Sequence, residues 1–340
     1  MLGVRATALS NYVEVAESVG LDPYAMLRRV NIDPAMIEEK EHPIDAGAVA
    51  MLLEDSAEIS GCMAFGLLMA ERRSLWDLGA ISLLLKNSAT AREVIESLVA
   101  YQHVVGNAIT LTIEACGDAR VLRTDVLTRR YRRQSTELLM GVTHCAIAEA
   151  AGGGWCPETA HFMHCAPEDL SVHNRIFGCS LHFGDWFNGF TCSNSALETA
   201  NAEAVASAAD HARRYLDLLQ PHPTAAPVSV RLARALQSLL PMGRVTLNQA
   251  ARSMGLHPRT LQRELATEGL SFAALLDKAR RELALRYLAN PTIAIGSVGS
   301  LIGYSSPSSF TRWFAAEFGQ SPAAWRTAQR PNASDTEAAG

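Results

Sequence analysis

The sequence predicts two domains of different class. The first, over residues 1–219, is an α+β domain of helices with a small sheet. The second, over 228–330, is all-α, with two helix-turn-helix units joined by a long helix. Three observations predict this. The stretch Gln220-Pro-His-Pro-Thr-Ala-Ala-Pro227 divides the chain with three prolines, which stop a helix and favour extended backbone. Upstream of it, helix-like apolar spacing alternates with β-branched stretches. Downstream, one helical pattern occurs twice, 48 to 49 residues apart.

The 340 residues are 48% apolar and 19% charged, which suits about two domains with a sizeable core. That composition excludes a disordered chain, a collagen-like fibre and a small disulfide scaffold. No apolar run approaches the ~20 residues of a membrane span. The opening MLGVRATALSNYVEV has neither a basic start nor an apolar signal core, so a soluble, cytoplasmic protein is expected. Seven cysteines, at 62, 116, 145, 156, 165, 179 and 192, form no Cys-x-x-Cys pair. They suit free thiols, and their gaps are too wide for a structural zinc site.

In the first domain, helical spacing covers 10–30, 46–59, 90–105, 134–151 and 196–219. Ile109-Thr-Leu-Thr-Ile113 alternates as a half-buried strand does, and 121–126, 160–164 and 180–183 are further strand candidates. The end of the chain, 331–340, is small and polar and reads as a disordered tail.

The repeat organises the second domain. Leu247, Ala250, Ala251 and Met254 fall at i, i+3, i+4, i+7, and so do Ile295, Val298, Gly299 and Ile302. Each set is followed by a glycine (Gly255, Gly303) and a helix opened by proline (Pro258, Pro307), which wastes no hydrogen bond at a first helical position. Thr246 and Gln249 form a capping box for the leading helix. With Leu261 and Leu265 facing the core, Arg259, Thr260, Gln262 and Arg263 are left on the outer face. Ser308, Ser309, Thr311 and Arg312 take that place in the second unit. These are the positions from which a recognition helix meets base edges and phosphates. Between the units, residues 271–290 read as one helix of ~30 Å. That length is close to the ~34 Å turn of a duplex, so two such helices could lie in successive major grooves.

Charge agrees. Residues 228–330 hold 13 Lys+Arg against 5 Asp+Glu, whereas 1–227 hold 17 against 28. A basic third on an acidic body is the asymmetry of a domain that faces a polyanion. A helical bundle with a solvated basic face is the alternative.

The segments Leu256-His-Pro-Arg-Thr-Leu-Gln-Arg263, Arg281-Glu-Leu-Ala-Leu-Arg-Tyr-Leu288, Ile302-Gly-Tyr-Ser305 with Phe310-Thr-Arg-Trp-Phe314, and Ser321-Pro322 closely resemble the DNA-binding domain of AraC-type (AraC/XylS) transcription regulators, over about 245–328. Leu78-Gly79, Ser88-Ala-Thr90 before a helix ending near Tyr101, and Phe177-Gly178 through Phe183-Gly184 to Phe190 resemble that family's arabinose-binding-type regulatory domain, a label of descent that does not make arabinose the ligand. The resemblance implies a regulator of promoter DNA, an activator, whose N-terminal domain senses a small molecule and dimerises, with RNA polymerase as a further partner. Carried over, its DNA-contacting positions fall on Arg259, Gln262 and Arg263, and on Pro307, Ser308, Ser309 and Arg312. Two departures stand out. His257 replaces the usual good N-cap, a softening of ~1 kcal/mol. The leading helix of the second unit has Ala294 at its cap and glycines at 296 and 299, each costing ~1 kcal/mol against alanine.

Other motifs point to little chemistry. In His161-Phe-Met-His164-Cys165, strand alternation sends His164 to the face opposite His161 and Cys165, so no metal site is expected. Arg129-Arg-Tyr-Arg-Arg133 suits a solvated loop or an anion contact. Gly152-Gly-Gly154 lacks the spacing that cradles phosphate. Glu38-Glu39 and Glu54-Asp55 read as surface charge. No nucleophile elbow and no His-Glu-x-x-His motif occurs, so no catalytic residue, cofactor or enzyme activity is expected. For a small-molecule effector the candidates are Trp76, Tyr101, His103 and Trp186, each also readable as plain core. Rival readings are a thiol- or metal-responsive sensor, an enzyme domain fused to a DNA reader, and a dimerisation module without a ligand.

Overall fold

A computed structural model of the chain describes residues 3–40, 42–106, 108–128, 133–219, 227–243, 245–290 and 293–328. The expected linker, apart from Pro227, the expected tail, and Arg129 to Arg132 of the arginine-rich stretch lie outside the described residues. Two compact units result, Met1–Gln220 and Pro221–Gly340.

The first unit begins with β1 (Gly3–Arg5), a 3-10 turn over Ala6–Leu9, and the short helices α1 (Tyr12–Ser18), α2 (Pro23–Arg29) and α3 (Pro34–Glu38). The sequence predicts one helix over 10–30, and the structure has two. Gly20 takes a φ of +81°, and Asp22 then caps a new helix by accepting from the amides of Tyr24 and Ala25, with Pro23 at the first helical position. Next come β2 (Pro43–Asp45), antiparallel to β1, then α4 (Ala46–Ser60) and α5 (Phe65–Glu71). These elements share one core around Tyr12, Leu27, Leu52, Leu53 and Phe65.

A 3-10 stretch over Leu75–Ile81 leads to α6 (Ser82–Lys86), α7 (Ala91–Val105) and the hairpin of β3 (Ile109–Cys116) and β4 (Ala119–Val126). After α8 (Arg133–Ala150) follow β5 (Thr159–Phe162), α9 (Ser171–Phe177), β6 (Ser180–Phe183), β7 (Gly189–Ser193), α10 (Asn194–Leu197) and α11 (Ala206–Leu219). The single helix predicted over 196–219 is thus divided. Between α10 and α11 the Asn201 amide group donates to the carbonyls of Lys86 and Ser88, which draws the chain onto α6 and breaks the helix. The sheet runs β3-β4-β7-β5-β6, antiparallel except for the pair β5 and β6, which are joined by α9. Leu111, Leu122, Ala160, Phe162 and Phe190 on its inner face pack with Val94 and Leu98 of α7 and Met140 and Ile147 of α8. The other face carries His161, His182 and Thr191.

Where α5 crosses α8 the backbones meet at glycine. A Cβ on Gly66 would fall 2.2 Å from the Gln134 carbonyl oxygen, and one on Gly141 would fall 2.6 Å from the Cβ of Ala70. This crossing joins the two cores. Sequence spacing gives no warning of it, since Gly141 sits inside the helical pattern of 134–151 and Gly66 lies outside the helical stretches read from the sequence.

The second unit contains α12 (Val228–Leu239), a 3-10 turn Leu240–Met242, α13 (Leu247–Ser253), α14 (Pro258–Thr267), α15 (Phe272–Ala289), α16 (Ile295–Leu301), α17 (Pro307–Phe318) and α18 (Pro322–Ala328). The pairs α13–α14 and α16–α17 are the two helix-turn-helix units. Their turns pass through Gly255 and Gly303, at φ +66° and +83°. The repeat holds in burial. Ala250 and Ala251 match Val298 and Gly299, while Leu261 and Leu265 match Phe310 and Phe314, and all eight are buried. Helix α15 turns Leu275, Leu276, Ala279, Leu283, Ala284, Tyr287 and Leu288 inward and packs on α12, α16 and α18.

Candidate nucleic-acid interface

Each unit starts with a helix whose cap differs. Thr246 accepts from the Gln249 amide while Gln249 Oε1 accepts from the Thr246 amide, a complete capping box on α13. Ala294 gives α16 no side-chain cap. The second helices are both capped. Ser306 Oγ accepts from the Ser309 amide at 3.2 Å, and His257 Nδ1 accepts from the Arg259 amide at 3.3 Å. An imidazole therefore supplies a cap where the sequence departs from the usual N-cap residue.

These caps set out the face of α14 and α17 that turns away from the core. Arg259, Gln262 and Arg263 are exposed and Thr260 is half-buried. On α17, Pro307, Ser308, Thr311 and Arg312 are exposed, while the half-buried Ser309 lies against the cap, its Oγ 2.9 Å from that of Ser306.

Seven arginines of this unit fall into two groups. Arg280 donates from Nε to the Ile302 carbonyl and lies 5.0 Å from the Tyr304 ring. Arg281 pairs with Glu317 at 2.7 Å, and Arg326 donates to the Leu288 carbonyl at 3.0 Å. These hold helices together. Arg252, Arg259, Arg263 and Arg312 are exposed, and among the described residues none has an ion pair or side-chain hydrogen bond. Arg252, in the last turn of α13, is an addition to the residues singled out from the sequence. The repeat also carries Glu268 and Glu317 at matching positions with different roles. Glu268 accepts from the amides of Val228 and Ser229 at the start of α12, and hydrogen bonds from Ser229, hydroxyl first, and from Val228 hold its carboxyl below the usual range.

The four effector candidates do not form one site. Trp76 is 57% exposed on the 3-10 stretch. Tyr101 is buried on α7, donates from its hydroxyl to Asp217 Oδ1 at 2.7 Å, and is pushed up to about 12 by burial and by that carboxylate. Its ring lies 6.2 Å from that of His103. Trp186 is elsewhere, with the Arg123 guanidinium 4.1 Å from its ring and Phe187 packed beside it.

The structure assembles two clusters that spacing did not predict. Glu137, fully buried on α8, accepts from His173 Nε2 at 3.1 Å and lies 3.3 Å from both His164 Nε2 and Arg133 Nε. Burial pushes His164 down from the usual imidazole value, with Glu137 opposing. Glu54, read from sequence as surface charge, belongs to the same region. Its Oε1 accepts from the Gln134 amide, and burial raises its pKa. On the outer face of the sheet, His161, His182 and Asp185 converge. The thiols are free, and burial holds Cys179 at about 11 and Cys192 at about 12, well away from reactive thiolates. No described helix is long and apolar enough to cross a membrane.

Comparison with known proteins agrees with this architecture. Residues 20–201 match the family model for the arabinose-binding N-terminal domain of AraC transcription regulators, and residues 250–328 match a helix-turn-helix domain. The chain is 29% identical to the HTH-type transcriptional regulator VirS of Mycobacterium tuberculosis, over 95% of this chain and 96% of that protein. It is 21% identical to the ornithine utilization regulator of Pseudomonas aeruginosa, over 93% and 94%. Among solved structures, the transcriptional regulator CdpR of Pseudomonas aeruginosa aligns over 89% of this chain and 96% of its own, at 19% identity and a TM-score of 0.42. With over half its length matched by the regulatory-domain model and a tandem helix-turn-helix behind it, the chain belongs to the AraC-type transcription regulators with an arabinose-binding-type N-terminal domain.

Proposed function

We propose that the protein binds promoter DNA through α14 and α17, placed in two adjacent major grooves, and that a small molecule bound by the N-terminal domain controls this binding. One observation carries the reading. The arginines of the recognition helices and of α13 are exposed and uncommitted, whereas Arg280, Arg281 and Arg326 of the connecting and final helices are engaged by groups of the domain itself. Uncommitted guanidiniums on a helix face are what bidentate contact with guanine or phosphate requires. Arg259, Thr260, Gln262 and Arg263, with Pro307, Ser308, Ser309 and Arg312, form the proposed contact surface. The mechanism is binding, with no bond made or broken, and its site is the cytoplasm. Family membership supports a dimer that favours one arrangement of its reading domains when the effector is bound, and an activating contact with RNA polymerase.

The test is DNA binding by the full chain on promoter fragments flanking its gene, at two salt concentrations. Specific, salt-sensitive binding is the expected result. Binding that does not discriminate between promoter and random duplex at either salt would overturn the reading of α14 and α17 as sequence readers.

A further inference from the structure

We infer that the outer face of the N-terminal sheet holds a binding site for a divalent first-row transition ion, formed by His161, His182 and Asp185. Three features of the fold bring these residues together. Strands β5 and β6 are parallel with His161 in register with His182, so both imidazoles leave the same face of the sheet, with ring centroids 5.6 Å apart. The chain then turns back after β6. The amides of Gly184 and Asp185 donate to the carbonyls of His164 and Phe162, both at 2.9 Å, which returns Asp185 to the start of the same cluster. One donor atom from each of the three residues lies within 4.8 Å of the other two.

The hydrogen bonds already select the ligating atoms. Asp185 Oδ1 accepts from the Trp186 amide at 2.6 Å, which leaves Oδ2 toward His161 Nδ1, 2.7 Å away. On its other side, His161 Nε2 lies 2.9 Å from Thr191 Oγ1. A ligating histidine characteristically has its second nitrogen fixed by a hydrogen bond to a neighbouring group. A threonine hydroxyl can donate or accept, so when an ion takes Nδ1 the ring proton sits on Nε2 and donates a hydrogen bond to Thr191 Oγ1. Phe187 stacks on the same imidazole at 4.6 Å and holds its plane. Metal–nitrogen and metal–oxygen bonds of ~2.0–2.2 Å in tetrahedral geometry need Nδ1 and Oδ2 ~3.3 Å apart. The pair must therefore part by about half an ångström, which a residue on a turn can supply.

The donor set and the exposure define the ligand. Two imidazoles and one carboxylate suit zinc, cobalt(II) or nickel(II), whereas magnesium and calcium take oxygen donors. His182 is exposed while His161 and Asp185 are half-buried, so the ion can enter from solvent, and a water can complete three protein ligands. The inference is separate from the DNA-binding reading, because its readout uses no DNA.

Cobalt(II) titration of the chelator-treated full chain, followed by visible absorption, tests it. The expected result is a single equivalent bound with visible d–d bands and no thiolate charge-transfer band, displaced by zinc and unaffected by excess magnesium. Thr191→Val, which keeps all three ligands, should weaken binding about 10–100-fold, and Thr191→Ser should restore it. His182→Ala and Asp185→Asn should weaken it more than Thr191→Val does, while His211→Ala, at an exposed histidine on α11, should leave it unchanged. The site is overturned if His182→Ala and Asp185→Asn, with native circular dichroism, bind cobalt as the parent does. A thiolate band in the first equivalent would overturn it too, by assigning the ion to cysteine.

Discussion

Gly299 of α16 is seated directly against Phe310 of α17. A Cβ on the glycine would lie 2.9 Å from the Cβ of Phe310 and 3.2 Å from its Cγ. In the first unit the matching positions of the repeat are Ala251 and Leu261, both buried, so the larger ring on one helix goes with the smaller residue on the other. The two glycines of α16 are therefore not equivalent. Gly296 has open space around it. Gly299→Ala should destabilise the second unit by ~1–3 kcal/mol through overpacking, despite better helix propensity. Gly296→Ala should stabilise it by up to ~1 kcal/mol. Denaturant unfolding of the full chain checks both, and effects of the same sign would contradict the packing.

The capping difference between α13 and α16 has its own consequence. A missing cap and an exposed interior glycine weaken α16 by ~1 kcal/mol each. Hydrogen exchange in the free full chain should be on the order of tenfold or more faster in 295–301 than in 247–253. Promoter DNA should narrow the gap. Equal protection in free protein would show that tertiary packing alone sets the stability of both helices.

On DNA, Arg263→Ala or Arg312→Ala should cost ~1–3 kcal/mol of specific binding if the guanidinium reads a base. If it meets only phosphate, the loss should be alike on every sequence and the salt slope should fall by about one. Arg281→Ala removes the same charge, but that arginine is paired with Glu317, so its loss should be smaller. Equal losses in all three variants would mean that net charge, and not the helix faces, governs binding.

Stability should depend on pH through His144. Burial among Trp155, Phe177 and Phe190 pushes its pKa down to about 4 from an ordinary value of 6.5. The unfolded chain takes up the proton first as pH falls. The contribution, ~3 kcal/mol, is therefore complete above about 6.5 and lost progressively down to about 4. His144→Phe should flatten unfolding free energy across that window. Parent-like slopes in the variant would assign the titration to other groups.

What could be read from sequence was what local periodicity records. Leu261 and Leu265, and Phe310 and Phe314, recur at one turn's spacing because a helix buries one face, and Ser271 followed by a continuous stripe marks α15 from end to end. Three-residue strands such as Gly3–Arg5 and Pro43–Asp45 are too short to show alternation, and β7 opens on a glycine. His182 and Asp185 could not be linked to His161 without knowing that β6 pairs in parallel with β5, a non-local fact. Trp76 illustrates the same limit. A 3-10 stretch has no fixed buried face in sequence, and its tryptophan turned outward.

Helix α15 supports both halves of the C-terminal unit, with Leu275 and Leu276 inward at one end and Tyr287 and Leu288 at the other. The two halves are thereby indexed to one another by residue number along a continuous helix. One residue inserted near its middle would rotate everything beyond it by ~100° and advance it ~1.5 Å. Only a step near a heptad returns the phase, to within ~20°. Side chains on the outer faces of α14 and α17 can thus be exchanged one at a time without disturbing this register, whereas the length of the span between them can change only in steps of nearly two whole turns.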